Sequence, residues 1–114
     1  MALNVVFMGT PEFAVPTLDI LIKKKFNILK VYTQHPKKSK RGQKINPSPI
    51  ENFCKKNKIN LGNPASLDNE EEFNIFQKLS PDIVIVVAYG KIIPKEFHEK
   101  INNIFKEDLK NLKY

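Results

Sequence analysis

The sequence predicts an α/β fold of the doubly wound type, a parallel sheet covered by helices, and three observations predict it. Residues 3–8 and 83–88 are short apolar runs rich in β-branched side chains, as in strands buried on both faces. Segments with helical spacing of apolar residues separate the strand-like runs. Such strict alternation of strand and helix requires crossover connections and a parallel sheet.

Each element has its own signals. Residues 3–8 end at Gly9 and read as the first strand. Pro11 and Pro16 then punctuate a segment in which Phe13, Leu18, Leu21 and Ile22 fall near helical spacing. It closes on Lys23, Lys24 and Lys25, beside the negative end of the helix dipole. Pro16 fits such a helix only near its first turn, where no backbone N–H is required of it. Residues 28–33 read as the second strand, and residues 34–46 show no regular period and read as a loop. In Ser48-Pro49-Ile50-Glu51 a cap residue, a proline at the first helical position and a glutamate three residues after the cap form a capping box. The helix it opens runs to about Lys56. Residues 59–61 make a brief third strand before Gly62-Asn63-Pro64 turns the chain. Asp68 or Asn69 caps a third helix, with Glu70, Glu71 and Glu72 in its favourable first turn and Phe73, Phe76 and Leu79 facing inward. Ser80-Pro81-Asp82 ends it, and residues 83–88 read as a central parallel strand. Beyond Pro94 two readings stay open: Phe97, Ile101, Ile104 and Leu109 line a helix, or Ile104-Phe105 begin a fifth strand.

Composition narrows the function classes. A chain of 114 residues that is 41% hydrophobic fits one domain with a core. A net charge of +7 favours a polyanionic partner, because lysines and arginines beside phosphates release condensed counterions; a basic surface that serves solubility is the alternative. Cys54 is the only cysteine, so an internal disulfide is excluded and a reducing compartment is expected. The start Met1-Ala2-Leu3-Asn4 has no basic leader region, and no apolar run approaches the ~20 residues that cross a bilayer. A cytoplasmic protein with no membrane partner and no evident protein partner is expected.

In an open parallel sheet the ligand crevice lies beyond the carboxyl ends of strands whose connections leave in opposite directions. With the strand order 3-2-1-4 that point lies between Gly9-Thr10-Pro11-Glu12-Phe13 and Tyr89-Gly90-Lys91-Ile92-Ile93-Pro94. Neither loop carries G-x-G-x-x-G or G-x-x-x-x-G-K-[ST], so dinucleotide and nucleoside triphosphate binding lose support. Gly9 either ends a strand or borders a site, and Phe13 either packs beneath it or faces the crevice. Tyr89-Gly90 is either an ordinary turn or a place where a ligand nears the backbone. Lys37, Lys38, Lys40, Arg41 and Lys44 fall close together, and no acidic residue lies between Asp19 and Glu51. This basic arm is either a solvated face or a guide for a phosphate backbone, with Arg41 beside Gly42 the best single candidate because a guanidinium grips phosphate with two hydrogen bonds. His35 and His98 lack ligand-spaced partners, so no metal is expected. No histidine is placed to activate Cys54, which reads as buried packing.

Three stretches together resemble one family. Val6-Phe7-Met8-Gly9-Thr10-Pro11-Glu12-Phe13-Ala14-Val15-Pro16, then Thr33-Gln34 through Arg41-Gly42 to Pro47-Ser48-Pro49, and Pro81-Asp82 to Ala88-Tyr89-Gly90 with Ile93-Pro94, are similar to the amino-terminal domain of methionyl-tRNA formyltransferases over roughly residues 3–105. The resemblance implies a Rossmann-like open parallel sheet flanked by helices and incomplete at its C-terminal side. It implies transfer of a formyl group from 10-formyltetrahydrofolate to the amino group of methionyl-initiator tRNA, with no metal. By position Met8, Gly9, Tyr89, Gly90, Lys91, Ile92 and Ile93 would border the folate, and Thr10 and Phe13 the methionyl end. Lys37, Lys38, Lys40, Arg41 and Lys44 would meet the acceptor stem. The family continues with a strand ending in Asn-x-His, followed by Ser-Leu-Leu-Pro; here Phe105 is followed by Lys106-Glu107-Asp108-Leu109 and no such motif. Asn102, Asn103 and Asn111 have no histidine two residues on. The expectation is therefore residues 1–105 as the N-terminal part of a formyltransferase catalytic domain, 106–114 as a divergent C-terminal tail, no catalytic residue, and a chain inactive alone. A non-catalytic basic RNA-binding module of Rossmann-like fold is the alternative, and a folate-dependent formyltransferase acting on a sugar nucleotide or purine precursor is a third reading that the Arg41-Gly42 loop disfavours.

Overall fold

A computed structural model describes residues 3–38, 45–64, 66–90 and 93. Successive side chains of a strand point to opposite faces. In β1 (Asn4–Gly9), Val6 and Met8 therefore enter one core while Val5 and Phe7 enter the other, and all four are fully buried. Each large side chain removed from water in this way contributes roughly 1.5–3 kcal/mol. β1 pairs in parallel with β2 (Asn27–Tyr32) on one side and β6 (Ile83–Val87) on the other. Beyond β2 lies β5 (Leu61–Gly62), also parallel, so the sheet order is β5-β2-β1-β6. This is the expected order 3-2-1-4, a Rossmann-like open sheet.

Helices cover both faces. On one face Leu18 and Leu21 of α1 (Val15–Lys23) and Ile50 and Cys54 of α2 (Pro49–Asn57) pack on Val5, Phe7 and Val31. Phe76 of α3 (Glu70–Leu79) is buried on the other, with Phe73 and Leu79 half-buried against Val6, Met8, Tyr32, Val84 and Val86. The caps set where these helices begin. Ser48 Oγ accepts the Glu51 N–H at 3.0 Å with Pro49 in the first turn, and Asn69, rather than Asp68, caps α3 by accepting the Glu72 N–H at 2.7 Å. The capping box is half formed. The Glu51 carboxylate accepts from Asn63 Nδ2 at 2.9 Å and pairs with Lys55 Nζ at 2.8 Å.

Four sequence expectations change in detail. Phe13 lies in a 3₁₀ turn, Glu12–Ala14, ahead of α1 and is 69% exposed, so it does not pack beneath Gly9. Residues 34–46 were expected as a loop, yet β3 (Lys37–Lys38) and β4 (Ile45–Asn46) within them pair antiparallel, Lys37 opposite Asn46. Two-residue strands are too short to leave a period in the sequence. The third strand starts two residues later than expected, because the Ile59 N–H still closes α2 on the Cys54 carbonyl at 2.9 Å. Residues 83–88, expected as a central strand, pair with β1 alone among the described residues, and Ile83, Ile85 and Val87 are half-buried. The open readings beyond Pro94 lie outside the described residues, as does the tail 106–114.

Candidate functional site

The pairing of Gly9 with Val87 brings the carboxyl ends of β1 and β6 side by side, so Thr10 and Tyr89 leave adjacent strands at one rim. Thr10 Oγ1 donates to the Tyr89 carbonyl at 2.6 Å. From the next strand end, that of β2, the Gln34 backbone N–H donates to Thr10 Oγ1 at 3.2 Å and Gln34 Nε2 donates to the Tyr89 carbonyl at 3.3 Å.

A hydroxyl carries a single proton, and that fixes the direction of the bonds behind this rim. Thr10 spends its proton on Tyr89, so Thr33, 3.4 Å away, is the donor to Thr10. Thr33 and Ser48 hydroxyls lie 2.6 Å apart, and with the Thr33 proton committed Ser48 is the donor. Ser48 in turn accepts the Glu51 N–H. One directed line of hydrogen bonds thus runs from the α2 cap to the β6 tip, and Thr33 within it is fully buried.

The backbone beyond β6 turns sharply. Ala88 has φ 50 and Gly90 φ 84, both in the left-handed region. A Cβ on Gly90 would collide with Gln34 Nε2, so only glycine leaves that amide its place. The Tyr89 ring folds back into the α3-side core with Tyr32 and Ile93, and all three are buried. Burial raises both phenols above the usual tyrosine range, and the nearby Glu72 carboxylate adds to the effect. Among the described residues, the Tyr32 and Tyr89 hydroxyls and Glu72 Oε2 have no hydrogen-bond partner.

At the root of the basic arm, His35 Nδ1 lies 3.1 Å from the Asn63 carbonyl, and Asn63 also holds Glu51. Burial disfavours the Glu51 charge, yet hydrogen bonds from Lys55 and Asn63, with the charges of Lys55 and His35, hold its carboxyl below the usual range.

Of the residues expected at the folate border, Gly9, Tyr89 and Gly90 stand together at this rim, while Ile93 is buried behind it. Met8 was expected there too, but its side chain is fully buried in the α3-side core because strand alternation turns it inward. Thr10 is half-buried with its hydroxyl engaged, and Phe13 stands exposed. Lys91 and Ile92 lie outside the described residues, as do Lys40, Arg41 and Lys44; Lys37 and Lys38 are placed by backbone alone, in the paired base of the arm. Sequence reasoning gave no role to Thr33 or Gln34 and saw Ser48 only as a cap. The signal of Thr33 and Gln34 was position: polar residues directly after β2, whose end lies at the same rim. Among the described residues no group of three or more His, Cys, Asp and Glu is placed to hold a metal ion, and no helix is long and apolar enough to cross a membrane.

Residues 3–105 match the formyl transferase family over nearly the whole chain. The chain belongs to that family. Its relatives include the methionyl-tRNA formyltransferase of Pelagibacter ubique, 53% identical over 98 residues, covering 85% of this chain and 32% of the relative. That of Fervidobacterium nodosum is 46% identical over 99 residues, covering 87% and 32%. The chain therefore spans about a third of the length of the curated relatives it matches. Among solved structures, phosphoribosylglycinamide formyltransferase from Bacillus halodurans superposes with a TM-score of 0.59 at 12% identity, covering 89% of this chain and 53% of that one. At that identity the likeness concerns the formyl transferase fold alone.

Proposed function

We propose that this chain is the part of a cytoplasmic methionyl-tRNA formyltransferase that receives the formyl donor, 10-formyltetrahydrofolate, and faces initiator tRNA. The observation that carries the reading is the rim where Thr10 and Tyr89 meet, built from stretches of a chain 53% identical to a methionyl-tRNA formyltransferase. Gly90 is exposed at the rim, and a flat pteridine would lie against the side of its backbone away from Gln34, whose amide fills the place of a Cβ. Gly9, Tyr89 and Gly90, with Lys91 and Ile92, would hold the donor. Thr10 and Phe13 would border the methionyl end.

Formyl transfer to an amine passes through a tetrahedral centre that needs an oxyanion donor and a group to take the ammonium proton. No Asn-x-His occurs in the 114 residues, so neither role is assigned to a residue of this chain. Binding, rather than turnover, is accordingly what tests the reading. Titration with 5-formyltetrahydrofolate, followed by amide chemical shifts, is expected to perturb residues 9–10 and 89–93. Shifts confined to another part of the molecule, or none at millimolar ligand, would reject it.

A second reading, a basic RNA-binding module, is favoured by the arm. Lys37, Lys38, Lys40, Arg41 and Lys44 lie in a stretch without acidic residues between Asp19 and Glu51. Its mark is affinity for initiator tRNA that falls with salt and with Lys40→Ala and Arg41→Ala, in the absence of any folate binding.

A further inference from the structure

We propose that Gln34 is a positioning residue: it holds the peptide between Tyr89 and Gly90 in the orientation the crevice uses, and so governs donor binding without touching the donor. The donor part of this inference rests on the proposed function. A carbonyl oxygen offers two lone pairs. At Tyr89 they receive Thr10 Oγ1 at 2.6 Å and Gln34 Nε2 at 3.3 Å, from the ends of two different strands. Held from two directions, the carbonyl is not free to rotate. No cis peptide bond occurs among the described residues, and in a trans peptide the N–H points opposite to the C=O. Fixing the Tyr89 carbonyl therefore also fixes the direction of the Gly90 N–H, aimed away from Gln34.

The surrounding backbone needs such a hold. Ala88 at φ 50 adopts a conformation that costs free energy in any residue with a Cβ, and it persists where neighbouring structure over-determines it. Gln34 is suited to the task. Its backbone N–H grips Thr10 Oγ1, its side-chain amide grips the Tyr89 carbonyl, and that amide occupies the space a Cβ on Gly90 would need. Thr10 and Gln34 thus act as one clasp on a residue more than fifty positions away.

The test uses the whole chain with Gln34→Leu and Gln34→Glu, each close to glutamine in shape but without the Nε2 donor. Amide exchange at residues 88–90 and the dissociation constant for 5-formyltetrahydrofolate are measured, with thermal unfolding as the control for folding. Both variants are expected to exchange faster at 88–90 and to bind the folate about tenfold more weakly, as for loss of one hydrogen bond to a half-buried acceptor. Thr10→Ser, which keeps the hydroxyl, should retain binding, and Thr10→Val should lose it. Should Gln34→Leu unfold, Gln34→Glu carries the comparison. Wild-type exchange and affinity in a folded Gln34 variant would overturn the proposal. A wild-type chain that binds no folate, while the variants still exchange faster at 88–90, would remove the donor reading and leave the peptide's positioning standing.

Discussion

Gly9 lies so close to Val87 that a Cβ on it would come within 2.9 Å of the Val87 carbonyl oxygen and 2.7 Å of Phe7 Cε2. The Val87 oxygen is paired backbone and the Phe7 ring is fully buried, so neither has room to retreat. Gly9→Ala is expected to destabilise the fold by about 1–3 kcal/mol, the range for overpacked cores. Gly62→Ala is a control, since its Cβ would press mainly on the end of the flexible Lys30 side chain. The midpoint of urea unfolding measures both. A Gly9→Ala midpoint equal to that of Gly62→Ala would show that β1 and β6 separate before their tips.

Ser48 and Asn69 cap α2 and α3 in the same manner, but Ser48 also donates to the buried Thr33 hydroxyl. Asn69→Ala should lose the ~1 kcal/mol of an ordinary cap. Ser48→Ala should lose that and leave a buried hydroxyl short of a donor, roughly a further 1–2 kcal/mol. Equal losses in chemical denaturation would mean that the Thr33 bond contributes nothing.

The sheet was legible because its signals are local. Val5, Val6, Phe7 and Met8 announce a strand buried on both faces, Ser48-Pro49 announces a helix start, and the strand order places the crevice by rule. Phe13 was misjudged because its spacing was taken at 100° per residue, whereas a 3₁₀ turn advances about 120° and swings it outward. The β3–β4 pairing was invisible because two residues carry no period. The clasp on Tyr89 was invisible for a different reason: it depends on hydrogen bonds between Thr10, Gln34 and Tyr89, which no local pattern relates.

Glu51 gives the fold a predictable acid response. Its carboxyl is held below the usual value of 4.5 in the folded chain. A carboxylate of depressed pKa contributes stability that is fully present above its unfolded value and lost as pH falls through its folded value. Unfolding followed from neutral pH to below 4.5 should therefore show a loss of stability that is smaller in Glu51→Gln, whose amide cannot titrate. The variant should be the less stable one at neutral pH, where the charged pair with Lys55 is intact. Parallel pH profiles for the two proteins would show that Glu51 titrates alike in both states.

Cys54 tests the packing of α2 against the sheet without perturbing it. The side chain is fully buried, and burial, with the Glu51 carboxylate adding to it, pushes the thiol up to about 12. The thiolate is the species that attacks an alkylating reagent, so at neutral pH the buried thiol stays protonated and is shielded as well. Modification by iodoacetamide should then proceed only through molecules that have opened, at a rate that rises with denaturant in step with global unfolding. Glu51→Gln removes the smaller of the two causes and leaves burial in place, so native Cys54 should stay protected in that variant. Rapid alkylation of either protein under fully native conditions would mean that α2 lifts from β1 and β2 on its own, and with it the Ser48 end of the hydrogen-bonded line that reaches Tyr89.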